Sequence, residues 1–514
     1  MNTNVTMTDF IRKSVDADDE KIIFRGERIR AKRFFDDVDA LSASLVRMGV
    51  RKGDVAIIAL PNIPQAIVAL YALNQIGAVA DILHPKCGEK AMEKAVRETG
   101  AMLAFVFADT YKQYENVWKS TGIGTILCRL HDRKNGKTPS GKQWEYRTLT
   151  QENKPIREES GLSGDDVAVY LHSSGTTADS KTVVLTNRAL NEAAKNVFLA
   201  VDPYVGIQKD YAMLMTLPMY HGFGLSVCVH LMMFCGKIVM LPRFRAGKAV
   251  RLMRKYPITY LSLVPNMLRR LVERKGGKKA WRSVRQIYVG GDRLSAERKE
   301  SAEALLKRYG VNGKICEGYG LSETSGVLTI NENGKPGSVG KPVYGVKIRI
   351  TDEEGRDLPT GETGNITVCS PAVAKEYLGE PIPVFTDKNG EKWLETGDTG
   401  YLDADGNLFY AGRKKRMIKI GGVAIFPKQV EEIAEKVSGV KSACAVRTII
   451  NGKPSLKLYL EAKPSERLKR RVCEEIEKGI MPYATPRAIG FLPEIKRTEM
   501  GKTDYRYYEE KEKL

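Results

Sequence analysis

The eight cysteines of this sequence, at 87, 128, 228, 235, 316, 369, 444 and 473, form no C-x-x-C pair, and several sit inside apolar runs. Reduced, buried thiols are expected. No basic segment followed by an apolar one opens the chain, so a secretory leader is not expected and the cytoplasm is the expected compartment. The most apolar stretch, 225–241, is broken by His230, Gly236 and Lys237, too short and polar to span a bilayer; a buried helix and strand is expected there. Zinc-finger spacing, a basic region with heptads and an RNP-type aromatic signature are all missing, so no nucleic-acid partner is expected. Internal repeats and low-complexity tracts are absent too.

What is present is an ordinary globular composition, with 42% hydrophobic and 28% charged residues over 514 positions. That length exceeds what one core usually supports and predicts at least two domains. The formal charge of +20 favours polyanionic partners: nucleic acid, an anionic membrane surface, or a phosphate-rich small molecule. Peripheral membrane contact stays open.

The first part of the chain alternates strand and helix patterns. Residues 55–60 read as a continuous apolar strand, Pro64 opens a helix running to Ile76, Gly77 stops it, and 79–83 resumes as strand. Further strands are expected at 102–107, 167–171, 238–241, 260–264 and 286–289. Such alternation implies α/β layers with buried parallel strands. From 361 to 408 the texture shifts to short strands with turn dipeptides Gly364-Asn365, Asn389-Gly390 and Asp405-Gly406, an antiparallel appendage. After the cationic run 413–416, a helix at 427–437 and a strand at 455–461 suggest a smaller α+β unit. The fold expected is therefore α/β, with a large multi-sheet domain carrying a β-rich appendage (1–414) and a small mobile α+β domain (415–514).

Four motifs could carry chemistry. S-S-G-T-T-A-D-S-K-T at 173–182 combines hydroxyls, Gly175 and Lys181 in one loop, which suits a polyphosphate and equally describes a Ser/Thr-rich turn. It is not a Walker loop; G-K-T at 136 and at 501 both lack the glycine five residues earlier. E-G-Y-G-L-S-E-T at 317–324 offers close backbone approach, a stacking ring and Glu323 as a hard oxygen ligand for Mg2+, or simply a tight turn. T-G-D-T-G-Y at 396–401 and G-R-K-K-R-M-I-K-I-G-G at 412–422 could hold ribose hydroxyls through Asp398 and Arg413, or be surface turns. In R-T-E-M-G-K-T-D at 497–504, Lys502 could reach into a cleft or stay solvated.

In their joint order, together with L-P-N-I-P-Q near residue 60, L-P-M-Y-H-G-F-G at 217–224 and Y-V-G-G-D at 288–292, these motifs resemble the adenylate-forming superfamily of acyl-CoA synthetases, luciferases and peptide-synthetase adenylation domains. The resemblance spans nearly the whole chain. It implies that Ser173, Ser174, Gly175, Thr176, Thr177 and Lys181 hold the outer phosphates of ATP, with Thr176 near Mg2+. Gly291, Gly318 and Tyr319 would flank the adenine, with Glu317 beside them. Ser322 would lie by the α-phosphate, Glu323 on Mg2+, and Asp398 with Arg413 on the ribose. Lys502 would bridge acid and α-phosphate, and His221 would complete the catalytic set. Lys415 occupies the hinge position, while Lys419, Gly421 and Gly422 fall in the segment that meets coenzyme A. Departures are Ala178, Ser180 and Thr182 where the family usually has Gly, Pro and Gly, Ser322 for a commoner Thr, and Lys496 for a common Pro. The charged set is retained.

The activity so implied is that of an AMP-forming acid–thiol ligase, an acyl-CoA synthetase. Tyr220–Gly224 offers no aspartate for an α-amine, which disfavours amino acids, and the glycines with the apolar stretch after them suit a medium- or long-chain fatty acid. An aryl acid fits the same composition. Twelve residues follow Lys502, so coenzyme A is the expected thiol, with a carrier protein as the alternative.

Overall fold

The computed structural model describes residues 1–130, 142–151, 161–172, 181–205, 211–274, 277–292, 294, 296–311, 313–420, 423–450, 453–479, 484–498 and 502–512. Two large sheets form its body. The first has eight strands, in the order 376–377, 182–186, 167–172, 79–82, 55–59, 103–107, 124–128 and 143–145. Its middle is parallel, and strand Val55–Ala59 shows why: Ala56 and Ile58 enter one apolar core while Val55, Ile57 and Ala59 enter another on the opposite face. A strand covered on both faces must be apolar at every position.

Pro64 opens the following helix, Pro64–Gln75, at the position where a missing N–H costs nothing. Gly77, at φ +72°, ends it, and a Cβ there would lie 2.7 Å from Leu162 Cδ2. The expected strand–helix–strand unit is present, with ends within a residue or so of those expected.

The second sheet has nine strands, in the order 341–342, 326–330, 314–321, 286–289, 260–263, 212–215, 237–240, 20–24 and 27–30. Its parallel strands 212–215, 260–263, 286–289 and 314–321 all point their C-terminal ends at one crevice. Ligands of open α/β sheets bind beyond such ends.

Between the sheets lies the apolar stretch expected as helix and strand. Its first part, Gly224–Leu231, is wound as a π-helix with every residue buried; Met232–Cys235 and the strand Lys237–Met240 follow. Gly224 admits no side chain, because a Cβ would fall 2.0 Å from Pro218 O. Wide helical turns of this kind recur at functional sites.

The antiparallel appendage is a five-stranded sheet of 347–351, 364–369, 392–402, 384–386 and 408–413. One turn expectation is corrected. Gly364-Asn365 lies within the strand Gly364–Cys369, where Gly364 pairs with Gly400 and a Cβ would come within 2.4 Å of Thr351 O, so the glycine serves close strand approach rather than reversal. Asn389-Gly390 and Asp405-Gly406 are turns.

Beyond Arg413 a short 3-10 turn, Lys414–Arg416, leads to a smaller unit with its own core. Helices Pro427–Lys436 and Glu466–Gly479 pack Val430, Ala434, Val472 and Ile476 against Leu456 and Leu458 of a three-stranded sheet. All eight cysteines are free thiols, and no helix among the described residues is long and apolar enough to cross a membrane.

Candidate functional site

A cavity of about 1220 Å³ opens where the nine-stranded sheet, the appendage and the smaller unit meet. Lys181, His221, Glu323, Asp398, Arg413 and Lys502 all line it, so six separated segments deliver their expected site residues to one place.

Lys502 arrives from the smaller unit. Thr498 N donates to Lys502 O at 2.8 Å and Arg497 bridges Thr503, so the lysine heads a short return. A Cβ built on Gly291, at φ +78°, would lie 3.4 Å from Lys502 Cε and 3.7 Å from Nζ. The side chain therefore lies over a glycine that only glycine can be. Burial lowers the Lys502 pKa from the ordinary 10.5; Asp292 opposes that fall, and Arg413 and Arg416 add to it.

Asp398 is 1% exposed, and burial raises its pKa against the pull of Arg413. Its register partner across the sheet is Arg413, whose Nε stands 2.9 Å from Oδ1, while the Tyr319 hydroxyl donates to Oδ2. Tyr410 Oη reaches Oδ1 at 3.5 Å. The three donors preset the carboxylate toward the cavity edge.

Glu323 sits on the short turn Ser322–Thr324, and its O accepts from Ala374 N at 2.8 Å. Just after it Ser325 is forced to φ +55°, fully buried, with its hydroxyl on Ala372 O at 3.0 Å and its carbonyl accepting from Ser226. Such strain persists only where surroundings over-determine it, and here it fixes the carboxylate's root. The Tyr377 hydroxyl donates to Glu323 Oε1 at 3.0 Å, and the same ring lies 4.5 Å from Lys181 Nζ, which pairs with Glu380 at 2.6 Å. One carboxylate at the cavity, with room for phosphate oxygens to complete the shell, is what Mg2+ commonly takes from protein. Among the described residues no cluster of three His, Cys, Asp or Glu could form an all-protein metal cage.

His221 lines the cavity half-buried, with its pKa pushed down to about 3 by desolvation and by nearby Lys502 and His84. Its imidazole is thus neutral at physiological pH, and Nε2 has no hydrogen-bond partner among the described residues. Glu317 is held by Lys299 at 3.1 Å and Gly318 continues the same strand into the crevice. Lys415 lies in the connecting 3-10 turn. Ser173, Ser174, Gly175, Thr176, Thr177, Gly421 and Gly422 lie outside the described residues, as does the Lys419 side chain.

Sequence reasoning missed Lys428 and Tyr377. Lys428 lies 3.8 Å from Asp292 and 3.2 Å from Glu431, which also accepts from Tyr505 Oη at 2.7 Å, so it ties the smaller unit to the edge of the large sheet beside Lys502. A lysine on a helix pattern gives no sign of this in sequence. Tyr377 is a lone tyrosine in a short edge strand, with no local signal either.

The chain is 28% identical over 484 residues to 4-coumarate--CoA ligase-like 8 of Arabidopsis thaliana, spanning 91% of this chain and 84% of the relative. Among solved structures it superposes on ATP-bound MatB from Rhodopseudomonas palustris with a TM-score of 0.86 at 22% identity, covering 99% of each chain. The anthranilate CoA ligase AuaEII bound to anthranoyl-AMP gives 0.85 at 20% identity, covering 100% of this chain and 98% of the other. The family model for AMP-binding enzymes matches residues 12–378, well over half of the sequence, and the chain belongs to that family.

Proposed function

We propose that the protein is an ATP-dependent, AMP-forming acid–CoA ligase acting on a hydrophobic carboxylic acid. The observation that carries this reading is the convergence of Lys502 with Asp398, Arg413, Glu323 and His221 on one cavity from segments far apart in the chain.

The chemistry follows from what a carboxylate lacks, a competent leaving group. Its oxygen attacks the α-phosphorus of ATP, the bond to the β-phosphate breaks, and pyrophosphate departs. Asp398 and Arg413 hold the nucleotide by its ribose, and Tyr319 keeps Asp398 oriented. Lys502, over Gly291, places its ammonium beside the bond being made, where a cation opposes the charge that builds up. Glu323 is the carboxylate that would hold Mg2+, which when bound neutralises phosphate oxygens. Neutral His221 offers a hydrogen bond without adding charge near Lys502. In the second half-reaction a thiol attacks the acyl carbon and AMP leaves. The present placement of Lys502 suits the first half-reaction, and residues 415–514 would turn about Lys415 for the second.

The acid pocket runs from the crevice beneath the π-helix, walled by Phe198, Met213, Leu217, Val227, Leu231 and Met232. From Val264 to Tyr260, both on its wall, is four strand residues, about 13 Å, or room for roughly ten carbons. This supports a medium-chain fatty acid. The rings of Tyr211, Tyr260 and Tyr288 at the far end, and the relatives named for 4-coumarate and anthranilate, favour an aryl acid as the second reading.

Pyrophosphate release across a panel of aliphatic and aryl acids, with and without CoA and with products identified by mass, tests both. CoA-dependent turnover strongest with aliphatic acids supports the first reading, and strongest with aryl acids the second. Adenylate accumulating despite CoA points to a carrier-protein thiol, and no turnover with any acid overturns the ligase assignment.

A further inference from the structure

The acid pocket ends in hydroxyls that the fold leaves unanswered. Tyr260 opens the strand Tyr260–Leu263, Tyr288 lies in its neighbour Gln286–Val289, and both line the cavity. Tyr260 is 4% exposed and Tyr288 9%, yet neither Oη has a hydrogen-bond partner among the described residues. The ring centre of Tyr260 lies 5.0 Å from that of Tyr211 and 6.1 Å from that of Tyr288, so three phenols form a row across the far end. Burial pushes the pKa values of Tyr260 and Tyr288 up, so both stay neutral, each with one O–H to donate and an oxygen to accept.

A further polar group stands behind the row. Gln286 shares a strand face with Tyr288, and its Nε2 donates to Cys316 Sγ at 3.1 Å and to Glu332 Oε1 at 3.3 Å. Burial pushes the Glu332 pKa up to about 7, and the nearby carboxylate raises that of Tyr288 beyond what burial does. Negative charge beside Tyr288 opposes a second carboxylate at this end. Arg285, 6.0 Å from the Tyr211 ring centre, is exposed to solvent. A buried hydroxyl without a partner is destabilising, and phenylalanine would close a pocket for a bare methyl end without that penalty. Two such hydroxyls on one cavity wall point to a partner in the ligand.

We propose that the acid taken by this pocket carries a neutral oxygen, a hydroxyl or a carbonyl, at the end remote from its carboxyl group, and that Tyr260 and Tyr288 select it by hydrogen bonding. This rests on the acid–CoA ligase reading above and narrows it. Tyr260 lies about 13 Å along its strand from Val264, within reach of the end of an ω-oxygenated chain of about ten carbons. Tyr288 is in register with Ser262, half-way along that span, where the shorter reach of a ring-borne hydroxyl would end.

The test is kcat/KM for CoA-dependent pyrophosphate release by the full chain with decanoic, ω-hydroxydecanoic and decanedioic acids, and with cinnamic acid and its para-hydroxy derivative. Wild type should prefer the hydroxylated member of a pair by about tenfold or more, because a site built around hydrogen bonds rejects the analogue that lacks them. Preference within the aliphatic pair assigns a chain, and within the aromatic pair a ring, as the carrier of the oxygen. Tyr260→Phe/Tyr288→Phe should lower kcat/KM for the preferred hydroxy acid by about tenfold and raise it a few-fold for the bare acid, whereas general damage to the pocket lowers both. Each single variant is read in the same way if the double variant does not fold. Preference for the bare acid in both pairs, preference for decanedioic over ω-hydroxydecanoic acid, equal losses for both members of a pair in the variants, or a preference the variants retain overturns the proposal and leaves the ligase reading standing. No turnover of any of these acids overturns the ligase reading and the proposal with it.

Discussion

The Tyr319 hydroxyl donates to Asp398 Oδ2 at 2.7 Å, from the opposite side of a carboxylate whose Oδ1 is held by Arg413. Tyr319→Phe removes that donor and leaves a buried oxygen with nothing facing it, at a cost of about 1–3 kcal/mol. Burial already raises the Asp398 pKa and the Tyr319 bond lowers it, so the substitution raises it further. If Asp398 holds the ribose as proposed, nucleotide binding needs the ionised carboxylate and is lost as pH falls through that pKa. The acid edge of AMP binding should therefore move to higher pH in Tyr319→Phe, measurable by calorimetry across a pH series; an unmoved edge speaks against Asp398 as the ribose ligand.

Lys502→Ala should lower acyl-AMP formation by on the order of a hundredfold or more while still converting synthetic acyl-AMP and CoA to thioester. Because burial holds the Lys502 pKa below its ordinary 10.5, the wild-type adenylation rate should fall with rising pH earlier than a solvent-exposed lysine would dictate. Single-turnover pyrophosphate release against pH, in wild type and Lys502→Arg, checks this. Arginine keeps its charge and should flatten the alkaline limb.

Glu323→Gln keeps an oxygen for the Tyr377 hydroxyl, so folding should change little. What is lost is the anionic oxygen proposed to hold magnesium. The Mg2+ concentration needed for half-maximal pyrophosphate release should rise by about tenfold or more. Equal magnesium curves for the two proteins would remove Glu323 from the metal site.

His230 is a stability switch rather than a site residue. It is fully buried, accepts from Tyr71 Oη at Nδ1 and donates from Nε2 to Asn191 Oδ1, and burial pushes its pKa down to about 3. The fold binds the neutral ring and the unfolded chain takes up a proton near the ordinary 6.5. Its contribution is therefore complete above pH 6.5 and declines as pH falls toward 3. His221 adds a second proton to the same slope. His230→Leu should cost about 2–4 kcal/mol at neutral pH by stranding Tyr71 and Asn191, and should reduce the acid-side slope of Tm against pH.

Much of this was legible in the residues themselves. Strands buried on both faces announce themselves as unbroken apolar runs, as at Val55–Ala59, and a proline at the first helical turn with a glycine at the end marks Pro64–Gln75 sharply. Gly364 misled because glycine serves turns and close strand approach alike, and only the pairing with Gly400 tells them apart. The π-wound form of Gly224–Leu231 leaves no mark in the apolar periodicity of that stretch. In the site, the charged residues stood out through their order along the chain. Their supports, Tyr377 under Glu323 and Lys428 beside Asp292, join residues far apart in sequence, so nothing near them in the chain marks either role.

The edge strand Glu376–Tyr377 has a consequence for biosynthesis. It closes one side of the eight-stranded sheet by pairing with Thr182–Thr186, and Lys375 N and Leu378 N bond to Val184 O and Thr182 O beside it. Val184 and Glu376 are 192 positions apart, so at a translation rate of about 5–20 residues per second the nascent chain carries that strand uncovered for roughly 10–40 s. An apolar strand with a free edge invites pairing with other chains. During that interval the free edge exposes the growing polypeptide to mispairing, and slow synthesis through residues 190–375 should lower its soluble yield.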